Sequence, residues 1–146
     1  MERISKKEYY LNIAKAISKR GTCLRRNYGS VIVKNDEIIS TGYTGAPRGQ
    51  KNCSDIGTCK REQLNIPSGT CYELCRSVHS EMNAIISAAR RDMIGATLYL
   101  YGYDVKTGED VENLFPCDLC KRAAINAGII QIVTKNKTYN LNEFEL

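Results

Sequence analysis

Two stretches decide how this chain reads: CRSVHSEMNAIISAA at residues 75–89 and PCDLC at residues 116–120. The first sets His79, the only histidine in the chain, two residues ahead of Glu81 at the start of an amphipathic run. The second sets Cys117 and Cys120 one helical turn apart behind Pro116, so that both sulfurs project from one face of a helix mouth. A helix start is electropositive, and that field together with a bound metal favours the thiolate form. One imidazole and two thiolates make a three-ligand zinc site whose fourth tetrahedral position is left for water, as in catalytic rather than closed structural centres. Zinc lowers the pKa of a water it holds to about 7. Glu81 lies on a different side of its turn from His79 and is free to move protons instead of ligating. Alone, the CxxC pair fits a structural knuckle and a lone helix histidine fits a packed residue; a knuckle has no use for the glutamate, and the two motifs together point to catalysis.

Upstream, Tyr10, Ile13, Ala14 and Ile17 recur at helical spacing between Ser5 and Lys19, with Gly21 as a stop. Two β-branched runs at 31–34 and 37–41, joined by Asn35-Asp36, read as a hairpin. Residues 43–76 hold no sustained period but carry Cys53, Cys59, Cys71 and Cys75, and a loop this long is expected to be functional or pinned. A helix is expected from about residue 77, with His79 and Glu81 in its first turn and Met82, Ile85, Ile86 and Ala89 on one apolar face. A strand at 97–101 follows, then a polar segment at 102–113 with a turn at Thr107-Gly108. A helix at 116–127, stopped by Gly128, leads to a strand at 129–133, which pairs in parallel with the previous strand through a right-handed crossover. The end is polar except for Tyr139, Leu141, Phe144 and Leu146, which fits a short edge strand or a helix. The alternation predicts an α/β fold in one domain over 1–146, with a mixed sheet covered by helices on both faces.

Charge narrows the partners only a little. A balance of 21 Lys+Arg against 16 Asp+Glu leaves a net +5, a mild surplus without the stripe of a dedicated nucleic-acid binder. It suits a small phosphorylated ligand and equally suits solvated surface lysines. The opening MERISKKEYYL has no apolar core of a signal peptide, and no run approaches the roughly 20 apolar residues of a membrane span, so the expected setting is the cytoplasm with no membrane partner. Seven cysteines, an odd number, in a reducing compartment point to metal ligation before disulfides.

The H-x-E…P-C-x-x-C pattern is that of zinc nucleobase deaminases, and it fixes the chemistry but not the substrate. More of the chain joins it: YGSVIVKNDEIISTGYTGAPRG at 28–49, CRSVHSEMNAI at 75–85, GATLYL at 95–100 and PCDLCKRAAINAGI at 116–129. On these stretches the chain resembles the deoxycytidylate (dCMP) deaminases of the cytidine deaminase superfamily. GAPRG, a cysteine-bearing loop and CRxxH in succession are the discriminating features.

The resemblance implies hydrolytic conversion of dCMP to dUMP for thymidylate supply, a three-layer α/β/α fold with about five strands, and homo-oligomers with active sites near subunit contacts. It implies catalytic zinc on His79, Cys117 and Cys120, with Glu81 as proton shuttle. The backbone at Ser80 is expected to face the base and Phe115 to line its pocket. Arg25 stands where relatives use a basic residue, and Arg26 and Arg48 are the other phosphate candidates near the hairpin, each open to being a solvated charge. A second, structural zinc is implied on Cys23, Cys53, Cys59 and Cys75, with Cys71 left over. Thr44 stands in GYTG where the family commonly has Asn, in a loop that meets nucleotide in relatives; one hydroxyl replaces an amide, which leaves control by dCTP or dTTP with Mg²⁺ an open expectation. The segment 102–114 is longer than the family's usual connection. Two alternatives stand beside this reading. A tRNA adenosine deaminase uses the same motif, although the acidic end NLNEFEL at 140–146 lacks a basic helix for RNA. A zinc-stabilised accessory protein without catalysis would make Glu81 dispensable.

Overall fold

Strand β1 (Arg26–Lys34) runs between two neighbours, β2 (Glu37–Tyr43) and β3 (Thr97–Asp104), both antiparallel to it, in a computed structural model that describes residues 1–144. Leu146, the last of the apolar terminal positions, lies outside the described residues. Strand β4 (Gln131–Val133) pairs in parallel with β3, and β5 (Thr138–Asn140) closes the edge antiparallel to β4, giving the order β2-β1-β3-β4-β5. The β1–β2 turn at Asn35 and Asp36 has φ of 52° and 61°, the left-handed pair a tight hairpin requires.

Alternation along β1 separates two apolar layers. Val31 and Val33 pack with Tyr10, Ala14 and Tyr101 under helix α1 (Lys6–Ser18), whose Ser5 hydroxyl accepts the Glu8 N–H. Ile32 faces the other way, joining Leu98, Leu100 and Ile132 against Ala84 of α4 (Ser80–Ile86) and Ala124 of α6 (Asp118–Ala127). Each aliphatic side chain buried there contributes about 1.5–3 kcal/mol. Helices on both faces of a mixed five-stranded sheet are what the sequence predicts. Gly42 matters for the site: a Cβ on it would overlap the backbone of Ser80 and Ala84, so its absence lets α4 lie directly on β2.

Several element bounds differ from the sequence reading, and the reasons are physical. β1 begins at Arg26 instead of residue 31 and β3 runs to Asp104 instead of 101, pairing Arg26 with Asp104 and Tyr28 with Gly102. These strand ends are polar or glycine, so apolar alternation does not reveal them. His79 caps α4 instead of standing in its first turn, and α4 stops at Ile86; Ala89 caps a separate helix, α5 (Arg90–Met93). The expected apolar face of α4 is not its buried one: Ile86 is 65% exposed, while Ser80, Glu81 and Ala84 are buried. α6 starts at Asp118 with Cys117 as its cap, and the chain end forms β5 followed by a 3-10 turn, Leu141–Glu143. The long loop contains α2 (Cys53–Ile56), α3 (Lys60–Gln63) and a 3-10 turn, Tyr72–Leu74.

The polar segment after β3 is a return hairpin. The Gly108 N–H reaches the Asp104 carbonyl at 2.8 Å, the Val111 N–H reaches the Gly102 carbonyl at 2.9 Å, and the Asp110 carboxylate accepts from the Tyr101 hydroxyl at 2.5 Å and Lys135 Nζ at 3.1 Å. Among the described residues no helix is long and apolar enough to cross a membrane.

Candidate active site

The ligand side chains stand at two helix starts that meet on one face of the sheet. The approach to His79 is held by paired hydrogen bonds between Gly45 and Val78, at 3.2 and 2.7 Å, and Asn83 Nδ2 ties α4 to the Tyr43 carbonyl at 2.8 Å. On α6 the Cys120 N–H points at Cys117 Sγ, 3.4 Å away, so the cysteine that caps the helix is also a ligand candidate.

His79 Nδ1 lies 3.3 Å from Cys120 Sγ and 3.4 Å from Cys117 Sγ, and among the described residues these three are the metal-capable group whose ligand atoms all fall within 4.8 Å of one another. Zinc–sulfur and zinc–nitrogen bonds of about 2.3 and 2.0–2.1 Å at tetrahedral angles put such atoms about 3.5 Å apart. The donor set and its spacing therefore fit zinc. Without metal, the Cys117 thiol is pulled down to about 4, first by the hydrogen bond from Cys120 and then by His79. Cys120 is pushed the other way, first by its bond to Cys117 and then by burial. The two thiols are thus driven apart in acidity, and His79 is shifted upward, chiefly by its contact with Cys117.

Glu81 is 5% exposed and stands outside the ligand trio. Its Oε1 accepts the Ser80 hydroxyl at 2.8 Å, and Ser80 Oγ lies 2.8 Å from Ser30 Oγ on β1. This buried chain holds the carboxylate in place. Ser30 is not evident from sequence, since a serine in an apolar strand carries no signal of its own.

Glu81, His79 and Cys117 open on a cavity of about 350 Å³. Thr44, Phe115, Arg25 and Arg26 line it too, but Ser80 and Arg48 do not; the Ser80 side chain is wholly buried, and Arg48 points to Ser87 at 3.4 Å. Thr44 Oγ1 accepts the Tyr28 N–H at 3.1 Å. Arg25 pairs with Glu62 at 3.2 Å and Arg26 with Asp104 at 3.9 Å, so both already face a carboxylate. Cys23, Cys53, Cys59 and Cys75 border the same cavity, the other three near enough to Cys53 to act on it electrostatically, but they are not drawn together as tightly as the ligand trio. Cys71 is exposed. Arg61, which the sequence does not single out, is buried in the cavity wall. One arginine among many in a loop gives no warning of burial.

A His/Cys/Cys ligand set fit for zinc with a buried carboxylate beside it, carried on helices over a mixed sheet, is the arrangement of a zinc-dependent hydrolase of nucleobase type. The model of the cytidine and deoxycytidylate deaminase zinc-binding region matches residues 4–136, and the chain belongs to that family. It is 37% identical over 138 residues to the deoxycytidylate deaminase of Mycobacterium phage D29, covering 91% of this chain and 96% of that one. With the deoxycytidylate deaminase of Schizosaccharomyces pombe it shares 30% identity over 90% of its own length, but only 36% of the yeast protein is spanned. The crystal structure of the cyanophage S-TIM5 dCMP deaminase with dCMP and dUMP shares the fold, with a TM-score of 0.62, 22% identity, and coverage of 90% of this chain and 83% of that one.

Proposed function

We propose that this chain is a cytoplasmic enzyme that hydrolyses the 4-amino group of dCMP, giving dUMP and ammonia, in pyrimidine deoxynucleotide metabolism. The observation that carries the reading is Glu81: a carboxylate 5% exposed, held by Ser80, beside a His/Cys/Cys metal site on a nucleotide-sized cavity. The family and the phage D29 relative support the substrate.

Zinc on His79, Cys117 and Cys120, when bound, acidifies a water and supplies the nucleophile. Glu81 would take the proton released and pass it to the ring nitrogen, then take the proton of the hydroxyl added at C4 and pass it to the amino group, so that ammonia leaves as the C4 carbonyl forms. Its hydrogen bond from Ser80 occupies Oε1 and fixes the carboxylate's orientation throughout. Phe115 walls the base side of the cavity, and burial of Glu81 excludes bulk water from its proton. The loop cysteines Cys23, Cys53, Cys59 and Cys75 are proposed to hold a structural zinc, their four thiols being a complete donor set for a closed site. Assembly into a homo-oligomer and control by dCTP or dTTP with Mg²⁺ belong to the same proposal, with Thr44 as the residue to test.

The test is ultraviolet-monitored deamination of dCMP beside CMP, dCTP and deoxycytidine. dCMP is expected to turn over best, with Glu81→Gln lowering kcat by about 10²–10⁴-fold while zinc content stays unchanged. No turnover of any nucleotide by the zinc-loaded protein would sink the reading.

A further inference from the structure

Arg61, on α3, is 6% exposed, and its Nε and Nη2 are sealed from solvent with no hydrogen-bond partner among the described residues. These two nitrogens form one edge of the planar guanidinium, the fork that takes two oxygens of a single carboxylate or phosphate. Nη1 meets only Cys75 Sγ, in a long contact of 3.7 Å. The Tyr72 ring lies against one face of the group at 4.7 Å, and a ring on the face does not fill the edge.

An arginine keeps its charge at any ordinary pH, and a buried charge left unpaired is strongly unfavourable. The acidic groups that line the same cavity are engaged elsewhere: Glu62 with Arg25 at 3.2 Å, Asp104 with Arg26 at 3.9 Å, and Glu81 with the Ser80 hydroxyl at 2.8 Å. The anion for the fork must therefore come from outside the chain. Arg61 lines the cavity on which His79 and Glu81 open, and the Tyr72 ring between them stands edge-on to the His79 imidazole at 5.0 Å. Arg61 is thus one ring's breadth from the reaction centre, as the phosphate of a nucleotide stands a sugar away from its base. The phosphate candidates drawn from the sequence are less suited, since Arg25 and Arg26 are already paired and Arg48 is not part of the cavity wall.

We propose that Arg61 is the residue that reads the 5′-phosphate of the substrate, holding two of its oxygens on the Nε–Nη2 edge; this rests on the dCMP reading above. The neighbouring wall is built to move aside. Ser68, Gly69 and Tyr72 line the cavity, and Gly69 and Cys71 turn at φ of 82° and 53°. From Pro67 to Cys75 the backbone hydrogen bonds stay within the segment, Thr70 to Pro67 at 3.3 Å and Leu74 to Cys71 at 3.0 Å among them. The phosphate gains the sealed edge by displacing this segment, which leaves the pairing of the sheet intact.

The test compares kcat/KM for dCMP and for deoxycytidine in the zinc-loaded protein. Arg61→Gln is expected to lower the value for dCMP about 10²-fold and to leave that for deoxycytidine within about threefold, with Arg61→Lys, which keeps the charge but not the fork, falling between. In the wild type the Arg61 Nε–H resonance is expected to shift with dUMP and to stay in place with deoxyuridine, a readout that needs no variant to fold. Equal losses on both substrates would make Arg61 a brace for Tyr72 and His79, overturning its phosphate role while the dCMP reading stands. An Nε–H resonance unmoved by dUMP would overturn it too, as would a dCMP-specific loss in Arg25→Gln that Arg61→Gln does not share. A wild type that deaminates neither compound nor any other cytosine nucleotide would remove the dCMP reading and this assignment together.

Discussion

Cys117 and Cys120 stand at the capped start of a ten-residue helix packed on the sheet, whereas Cys53 and Cys59 stand at four-residue helices inside a loop. At the first place the fold sets the spacing before any metal arrives: Cys117 takes the Cys120 N–H, and Val78 is clasped to Gly45 just ahead of His79. At the second the thiols border one cavity without closing on one another. A catalytic site gains from ligands that cannot relax around the metal, because relaxation would close the open position. A structural site has the opposite need, since closing is its purpose.

The largest effect that would break this contrast is on turnover. Cys120→Ser is expected to abolish measurable deamination with an unchanged far-ultraviolet circular dichroism spectrum, whereas Cys53→Ser keeps activity within about tenfold of wild type. Equal loss in both would make the two sites one unit. Next comes chelation: stripping metal is expected to expose residues 43–76 to limited proteolysis while the sheet and α6 stay resistant, and unchanged sensitivity of that loop would count against a metal clip. Gly42→Ala puts a methyl group into the backbone of α4 and is expected to destabilise the protein by about 1–3 kcal/mol in denaturant melts and to lower kcat by displacing Glu81.

The smallest effect lies on the far face, remote from both groups of cysteines. The Tyr10 hydroxyl donates to Asp36, which also pairs with Lys6 at 2.7 Å. That bond and burial push Tyr10 up to about 12 from 10.0. Its contribution is complete below pH 10.0 and is lost as pH rises through about 12, so Tyr10→Phe is expected to flatten the alkaline limb of a Tm profile. Asp36, held below its ordinary 3.8 by Lys6 and then Tyr10, acts in the opposite direction: its contribution is present above that value and is lost in acid as pH falls through the depressed one.

The sequence was most legible where polarity and periodicity agree. Tyr10 and Ala14 marked α1, Val31 and Val33 marked the inner strand, and His79, Glu81, Cys117 and Cys120 marked the centre because few folds have use for that combination. It misled in part on α4, where Ile85 packs against the core but Ile86 is exposed, and Ser80 and Glu81 lie inside instead. Arg61 was illegible for a related reason. Its neighbours, Tyr72 and Cys75, come from the same aperiodic loop, and no local pattern encodes their meeting.

His79 and Cys120 lie 41 positions apart, and they meet only after α4 and α6 have docked on the same face of the sheet. Closing a loop of that length costs about 3 kcal/mol in chain entropy before any bond repays it. The Cys117–Cys120 pair, in contrast, is local and can seize zinc in an unfolded chain, where five other thiols compete to complete the shell. Zinc present from the start of refolding therefore favours misligated traps, and zinc added after the sheet has formed finds its proper seat. Refolding with zinc added late is expected to give more active protein than refolding with the same zinc present from the start, as turnover per mole of recovered protein would show.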